Sequence, residues 1–250
     1  MRLTEIVRYL EDYLDIASVP DYPDAHNGLQ VEGPEEVSRV ALAVDACQAT
    51  IDAAADAGAG LLIVHHGLLW GAKAPVVGAT YRRLARLIRN DVALFSVHLP
   101  LDAHAEVGNN ALMARGIGMP IVGRFAEHDG VPVGVVVEGP IAVDELRARV
   151  ADTIGAEARL IATGPALARR IGIVTGGAGT WIHMAERAGC DTFITGEGPH
   201  HCYFEAEERG LNLILGGHYA TETLGVKALA AHLGDRLGLE CIWIEHPTGL

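Results

Sequence analysis

The stretch Leu61-Leu62-Ile63-Val64-His65-His66-Gly67 sets the reading of the whole chain. Four aliphatic residues with strong β preference make one buried strand, and two adjacent histidines and a glycine stand at its end. In α/β sheets chemistry collects at strand ends. Neighbouring side chains inside a strand point to opposite faces, so two histidines there would part; at the last strand residue and the first of the turn they converge. Taken alone, the pair is equally compatible with one ring hydrogen-bonded at the strand end and its neighbour in solvent.

Working outward, Val40 to Ala46 reads as a second buried strand, and the alanine-rich run Ala49 to Ala57 as a helix stopped by Gly58. The quoted stretch is therefore the second strand of a βαβ unit. Before it, Leu3 to Ala17 carries apolar residues at helical spacing, with Thr4 available as a cap, and Asn27-Gly28 turns into a short strand ending at Val31. After it come an irregular segment from Leu68 to Thr80, a helix from Tyr81 to Arg89, and a strand from Val92 to Val97 that ends at His98-Leu99-Pro100-Leu101-Asp102. Gly108-Asn109-Asn110 starts a helix to Ala114. The glycine-rich run Gly116 to Gly123 reads as a domain junction, dividing the chain into halves 1–123 and 124–250. The second half reads as strands at 131–138, 171–175, 191–197, 211–218 and 241–245, with helices between them.

Half of the 250 residues are apolar, enough for a substantial core. Cys47, Cys190, Cys202 and Cys241 are scattered without CxxC spacing, and no secretory leader opens the chain, so they read as buried thiols of a cytoplasmic protein. No apolar run approaches the roughly 20 residues that span a membrane. A formal charge of −13 opposes a general binder of nucleic-acid backbones, and 5% aromatic content opposes a stacking platform for single strands. A small anionic substrate stays compatible, because bound cations supply positive charge locally. A dinucleotide-binding oxidoreductase fails: no GxGxxG opens a helix after a strand.

The chain also repeats itself. Shifting by 131 carries Arg39-Val40 onto Arg170-Ile171, Ala57-Gly58 onto Ala188-Gly189, and Ile63 onto Ile194, so His65-His66 fall on Gly196-Glu197. A shift of 120 carries His98 onto His218 and Asp102 onto Glu222. Two such α/β halves around a pseudo-twofold would gather the tips 65–66, 98–102 and 218–222. Imidazoles with carboxylates are ligands for borderline divalent ions, and more than four of them suggest two ions sharing a bridging carboxylate. His218 and Glu222, four apart at a helix start, share one helical face.

These residues resemble the NIF-three-like dinuclear-metal family, whose members are often named GTP cyclohydrolase I type 2 homologues. The resemblance rests on Asn27-Gly28-Leu29-Gln30-Val31, His65-His66-Gly67, His98 to Asp102, Thr195-Gly196-Glu197, and Gly217-His218-Tyr219 with Thr221-Glu222. It covers nearly the whole chain. It implies two similar interlinked α/β domains flanked by helices, a toroidal homohexamer, and two divalent ions (Zn, Fe, Mn or Ni) per chain. It also implies the ligands His65, His66, Asp102, His218 and Glu222, with Glu222 as the bridge. Two departures stand out: Gly67 replaces a proline common after the two histidines, and Leu99-Pro100-Leu101 replaces a Thr-Asn-type pair. The large domain that some members carry between the halves has no room in this length.

The implied activity is two-metal hydrolysis of cyclohydrolase type on a purine nucleotide or related small anion. The rival reading is a non-catalytic metal-binding, storage or regulatory ring. His98 is a ligand by the internal symmetry but a supporting or substrate-touching residue by the family pattern, which the reading favours. His98 and Glu197 are the candidates for proton transfer. His200 and His201 line the same cavity or cap a solvated helix start. Asp45 is a candidate acceptor beside the opening tip, and Gly176-Gly177-Ala178-Gly179 a candidate anion cradle.

Overall fold

The computed structural model describes residues 1–70 and 75–250; of the irregular segment read from Leu68 to Thr80, residues 71–74 lie outside that description and the last three residues already belong to a helix. Contacts group the chain into two units. The first comprises Met1–Leu101 with Val226–His246, the second Asp102–Gly225 with Pro247–Leu250.

The first unit holds β1 (Gly28–Val31), β2 (Arg39–Asp45), β3 (Leu61–His66), β4 (Ala93–Ser96) and β11 (Glu240–Trp243) in one sheet of order β1-β4-β3-β2-β11. All pairings are parallel except β1 with β4. The central strands β2, β3 and β4 carry buried, mostly aliphatic runs because both sheet faces are covered. On one side Ala41, Leu62, Val64 and Leu94 pack with Ile51 of α2 (Gln48–Asp56) and Leu87 of α3 (Gly78–Arg89). Fully burying such a Leu or Ile contributes about 1.5–3 kcal/mol. Helix α2 stops where Gly58 turns left-handed at φ +66°, as its sequence anticipates.

Helix α1 (Leu3–Tyr13) buries Leu3, Ile6 and Leu10, but ends well before Ala17, because Asp15 takes φ +50° and cannot continue a right-handed helix. Its cap is Arg2 rather than Thr4, with Glu5 accepting the Arg2 amide at 3.3 Å.

The second unit carries a sheet of order β5-β6-β8-β9-β10-β7. Its strands are β5 (Ile121–His128), β6 (Val131–Ala142), β7 (Arg159–Ala162), β8 (Leu167–Ile173), β9 (Thr192–Thr195) and β10 (Asn212–Leu215). Only β8, β9 and β10 run parallel to one another. Helices α5 (Asn109–Gly116) and α6 (Val143–Ile154) cover one face through Met113, Leu146 and Val150, against Val135, Ile171, Ile194 and Ile214. Helices α7 (Ile182–Arg187) and α8 (Cys202–Arg209) complete the unit. Two helices cross the division: α4 (Leu99–Ala103), and α9 (His218–Leu237), whose residues from Val226 onward group with the first unit.

The residues read as a junction, Gly116 to Gly123, instead close α5 and open β5. Asp129 (φ +46°) and Gly130 (φ +85°) form a two-residue hairpin that pairs β5 with β6. The division also departs from the halves 1–123 and 124–250: it falls before Asp102, and β11 pairs with β2 rather than joining the second sheet.

The duplication is visible in the hydrogen-bond register. Val40 pairs Leu61 as Ile171 pairs Thr192, and Leu42 pairs Ile63 as Ile173 pairs Ile194, all at the shift of 131 residues read from the sequence. Four strands repeat in order, β1-β4-β3-β2 matching β7-β10-β9-β8. The fifth does not, since β11 lies parallel to β2 whereas β6 lies antiparallel to β8.

The cysteines are all free, as expected. Cys190 and Cys202 are buried, whereas Cys47 and Cys241 are only partly so. Burial pushes the Cys190 thiol up to about 11, which leaves it an inert packing group. Among the described residues no helix is long and apolar enough to cross a membrane.

Candidate metal centre

Each unit ends its parallel strands in a tip rich in metal-ligand chemistry. In the first, His65 and His66 both lie within β3, and His66 still pairs with Asp45 of β2. The turn begins one residue later than read from the sequence. The rings nevertheless converge at the strand end, with centroids 4.7 Å apart, and His98 joins them at 5.0 Å from His65 and 5.6 Å from His66. One ring nitrogen from each of the three lies within 4.8 Å of the other two.

Hydrogen bonds decide which nitrogen that is. His65 Nδ1 donates to the Val97 carbonyl at 2.9 Å, His66 Nδ1 to Asp45 Oδ1 at 2.8 Å, and His98 Nδ1 to Asp21 Oδ1 at 2.9 Å. A carbonyl or carboxylate oxygen only accepts, so in the neutral rings Nδ1 bears the hydrogen and Nε2 carries the lone pair. An acceptor behind Nδ1 is the usual support of a metal-ligating imidazole, fixing tautomer and ring orientation. The donor set thus fits a borderline divalent ion.

The segment from Asp21 to Gln30 scaffolds this tip. Asn27 Oδ1 accepts the His98 amide at 2.7 Å, and Asn27 Nδ2 donates to Asp21 Oδ2 at 2.8 Å. Gln30 Oε1 accepts the amides of Leu68 (2.8 Å) and Leu69 (3.0 Å), while its Nε2 donates to the His26 carbonyl at 2.7 Å. A Cβ on Gly67 would overlap the Gln30 amide, so the glycine lets Gln30 pin the loop. Trp70 stands edge-on to His98, with centroids 4.7 Å apart and planes at 82°.

In the second unit His218 opens α9. Its Nδ1 donates to Glu197 Oε1 at 2.9 Å, and its Nε2 faces Glu222 Oε2 at 3.2 Å, one helical turn on. Glu222 is buried, and its hydrogen bond to His218, opposed by burial and reinforced by Glu197, raises the imidazole to about 9. Gly176 (φ +71°) carries the pair from below. A Cβ there would overlap Glu222 Oε1, and one on Gly177 would lie 3.3 Å from the His218 ring. The glycine run read as an anion cradle is therefore the floor of the His218–Glu222 pair. Its backbone also staples the strand tips, since the Gly176 carbonyl accepts the amides of Gly196 (2.9 Å) and Glu197 (3.0 Å).

Asp102, on the short helix α4, is buried, and its Oδ1 accepts from Asn109 Nδ2 at 2.8 Å and from the Thr175 hydroxyl at 3.4 Å. The segment after the strand, read from the sequence as its tip at 98–102, forms this helical turn from Leu99. His98 and His218 are not equivalent in the pairing. Val64 pairs Ser96 and Thr195 pairs Leu215, which puts His218 one residue further from its strand. His200 and His201 are exposed before α8, His200 edge-on to Phe204.

Sequence reasoning did not single out Asp21, Trp70, Asn109 or Thr175. Asp21 sits between Pro20 and Pro23 in a loop with no periodicity, and only its contacts reveal it. Burial opposes ionisation of Asp21, but the hydrogen bond and charge attraction from His98, with hydrogen bonds from Asn27 and the Leu99 amide, outweigh it and hold the carboxyl below its usual range.

A two-sheet α/β protein whose strand tips carry acceptor-backed histidines is the class that fold and donor chemistry define. The chain belongs to the Duf34/NIF3 (NGG1p interacting factor 3) family, which matches residues 1–248. Proteins named GTP cyclohydrolase 1 type 2 homolog are similar throughout their length. That of Archaeoglobus fulgidus is 41% identical over 252 residues, covering all of both chains, and that of Escherichia coli K12 is 38% identical over 250, covering 99% of each. Solved structures agree. Protein ybgI superposes with a TM-score of 0.92 at 37% identity, and a Thermus thermophilus protein with 0.90 at 40%, each covering both chains completely.

Proposed function

We propose that this protein binds two divalent ions per chain and uses them to hydrolyse a purine nucleotide or a related small anionic substrate. The observation that supports this reading is the trio His65, His66 and His98, each with Nδ1 held by an acceptor and one ring nitrogen within 4.8 Å of the others. The proposed ligands are those that the family resemblance implies, His65, His66, Asp102, His218 and Glu222. Zn, Fe, Mn and Ni all suit imidazole and carboxylate donors.

Bound ions would supply Lewis acidity and lower the pKa of water. The chain's own groups do the rest. Asp45 and Glu197 hold His66 and His218 in the ligating tautomer, while Asn109 and Thr175 orient the Asp102 carboxylate. Proton transfer is assigned to His98 and Glu197. The names of the curated relatives support cyclohydrolase chemistry as the reaction class, and the proposed assembly and location are a homohexamer in the cytoplasm.

Metal analysis after reconstitution comes first, with close to two ions per chain expected; fewer than about one and a half would overturn the dinuclear reading, because each ion needs its full ligand set. GTP and a panel of phosphoesters are then offered to loaded protein and to a His65→Ala, Glu222→Ala double variant. Turnover that the variant abolishes supports hydrolysis; turnover unchanged in the variant overturns it. Two ions with no turnover on any substrate supports the storage or regulatory reading instead. Sedimentation equilibrium at six times the chain mass supports the hexamer, and a monomer mass overturns it.

A further inference from the structure

We infer that Asp21 is the positioning residue of the first tip: it fixes His98 as the Nδ1–H tautomer with Nε2 turned toward His65 and His66, making His98 the tip's hydrogen-bond acceptor for bound water or substrate. The role of that acceptor rests on the metal-site reading above; the tautomer does not.

Four observations carry it. The Asp21 side chain is only 4% exposed, yet it is fully engaged. Oδ1 accepts from His98 Nδ1 at 2.9 Å and from the Tyr22 amide at 2.7 Å, and Oδ2 accepts from Asn27 Nδ2 at 2.8 Å and from the Leu99 amide at 3.0 Å. Four donors converging on one carboxylate hold it in a single orientation, so the His98 ring inherits that orientation. The backbone of His98 is clamped by the same device, through Asn27 Oδ1. The ring is also walled: Trp70 meets it edge-on at 4.7 Å, and the tilted rings of Tyr22 and His65 lie 5.9 Å and 5.0 Å away. Finally, the arrangement repeats the carboxylate backing of His66 by Asp45 and of His218 by Glu197, although His98 stands outside the ligand set carried by the family resemblance.

Residues 14–26 contain no helix or long strand to hold them, and a buried carboxylate there is costly unless it is hydrogen-bonded. Two of its four donors, His98 Nδ1 and the Leu99 amide, tie this loop directly to the strand tip.

The test is side-chain ¹⁵N NMR of histidine-labelled protein at pH 8.5, in metal-free and Zn-loaded forms, comparing wild type with Asp21→Ala and Asp21→Asn. In metal-free wild type His98 is expected as the pure Nδ1–H tautomer. Asp21→Ala removes the acceptor, and the ring should move toward the Nε2–H form that free imidazole prefers. Asp21→Asn keeps an acceptor oxygen and should restore much of the wild-type signature. Backbone amide spectra confine the comparison to folded variants; if Asp21→Ala does not fold, the Asp21→Asn and wild-type spectra still decide. His98 found as Nε2–H or as imidazolium in wild type overturns the proposal, as does a tautomer unchanged in Asp21→Ala. On Zn loading His65, His66 and His218 are expected to shift at Nε2 and His98 much less. A full ligand shift at His98 also overturns it, by making that ring a ligand. Zn that shifts no histidine defeats the metal reading, while the metal-free spectra still judge Asp21.

Discussion

The two strand tips hold matching places in their sheets and different chemistry. In the first, Asp45 and His66 close the β2 and β3 strands as a hydrogen-bonded pair. In the second, the residues at the matching positions are Gly176 and Glu197. The acid has moved from one strand end to the other, and the histidine it supports, His218, comes from a helix start instead of a strand. Gly176 then has to be small, because the space an aspartate would take is filled by Glu222. A repeated βαβ scaffold can therefore conserve the pairing of an imidazole with a carboxylate while exchanging which element supplies each partner.

The comparison breaks most sharply at Gly176. Replacing it with Asp, which copies Asp45 into the second tip, adds left-handed strain to a clash with Glu222; a stability loss on the order of 2–5 kcal/mol is expected by urea denaturation. The His218–Glu222 geometry should be lost with it. The equivalent swap in the first tip, Asp45→Gly, meets no clash and should leave the fold intact while loosening His66.

Proton competition separates the tips next. The imidazole of His218 is raised to about 9, so its proton stabilises the metal-free fold fully below about 6.5, and that contribution fades as pH rises through 9. A metal at Nε2 must displace this proton. Apparent affinity of a His66→Ala protein, which keeps the second tip, should rise about tenfold per pH unit from 6.5 and level off near 9. Calorimetry in buffers of different ionisation enthalpy should count close to one proton released at pH 7.5.

The backing carboxylates come third. Asp45→Asn and Glu197→Gln should each weaken metal binding by roughly 10–100-fold without unfolding the protein. A much larger effect in one than in the other would show that the two pairs are not functional equivalents. The smallest effect is expected at Gln30→Ala, which removes the acceptor for the Leu68 and Leu69 amides; about 1 kcal/mol of stability should go, with faster amide exchange confined to residues 67–70.

The parts legible in the sequence were those written in local pattern. The aliphatic run before His65 announced its strand, and the shift of 131 residues survives into the pairing of Val40 with Leu61 and Ile171 with Thr192. The Asp129-Gly130 hairpin carried a legible signal too, but the glycines from 116 to 123 masked β5, whose outward residues Ile121 and Val122 are exposed and break the burial alternation. What no pattern could show was the partner of each polar side chain. Asp21 lies in a proline-bounded loop far in sequence from His98, and Asn109 and Thr175 reach Asp102 from separate elements. Ligand types are chosen locally, whereas their supports come from anywhere in the fold.

The pairing of β11 with β2 has a consequence for synthesis. Strand β2 is among the first to leave the ribosome, and the strand that covers its flank is among the last. Until then the Arg39–Asp45 edge exposes unpaired amides and carbonyls to any other nascent chain, a template for wrong pairing. Deleting residues 239–250 should make that state permanent, so the truncated protein is expected to aggregate rather than merely lose its tail.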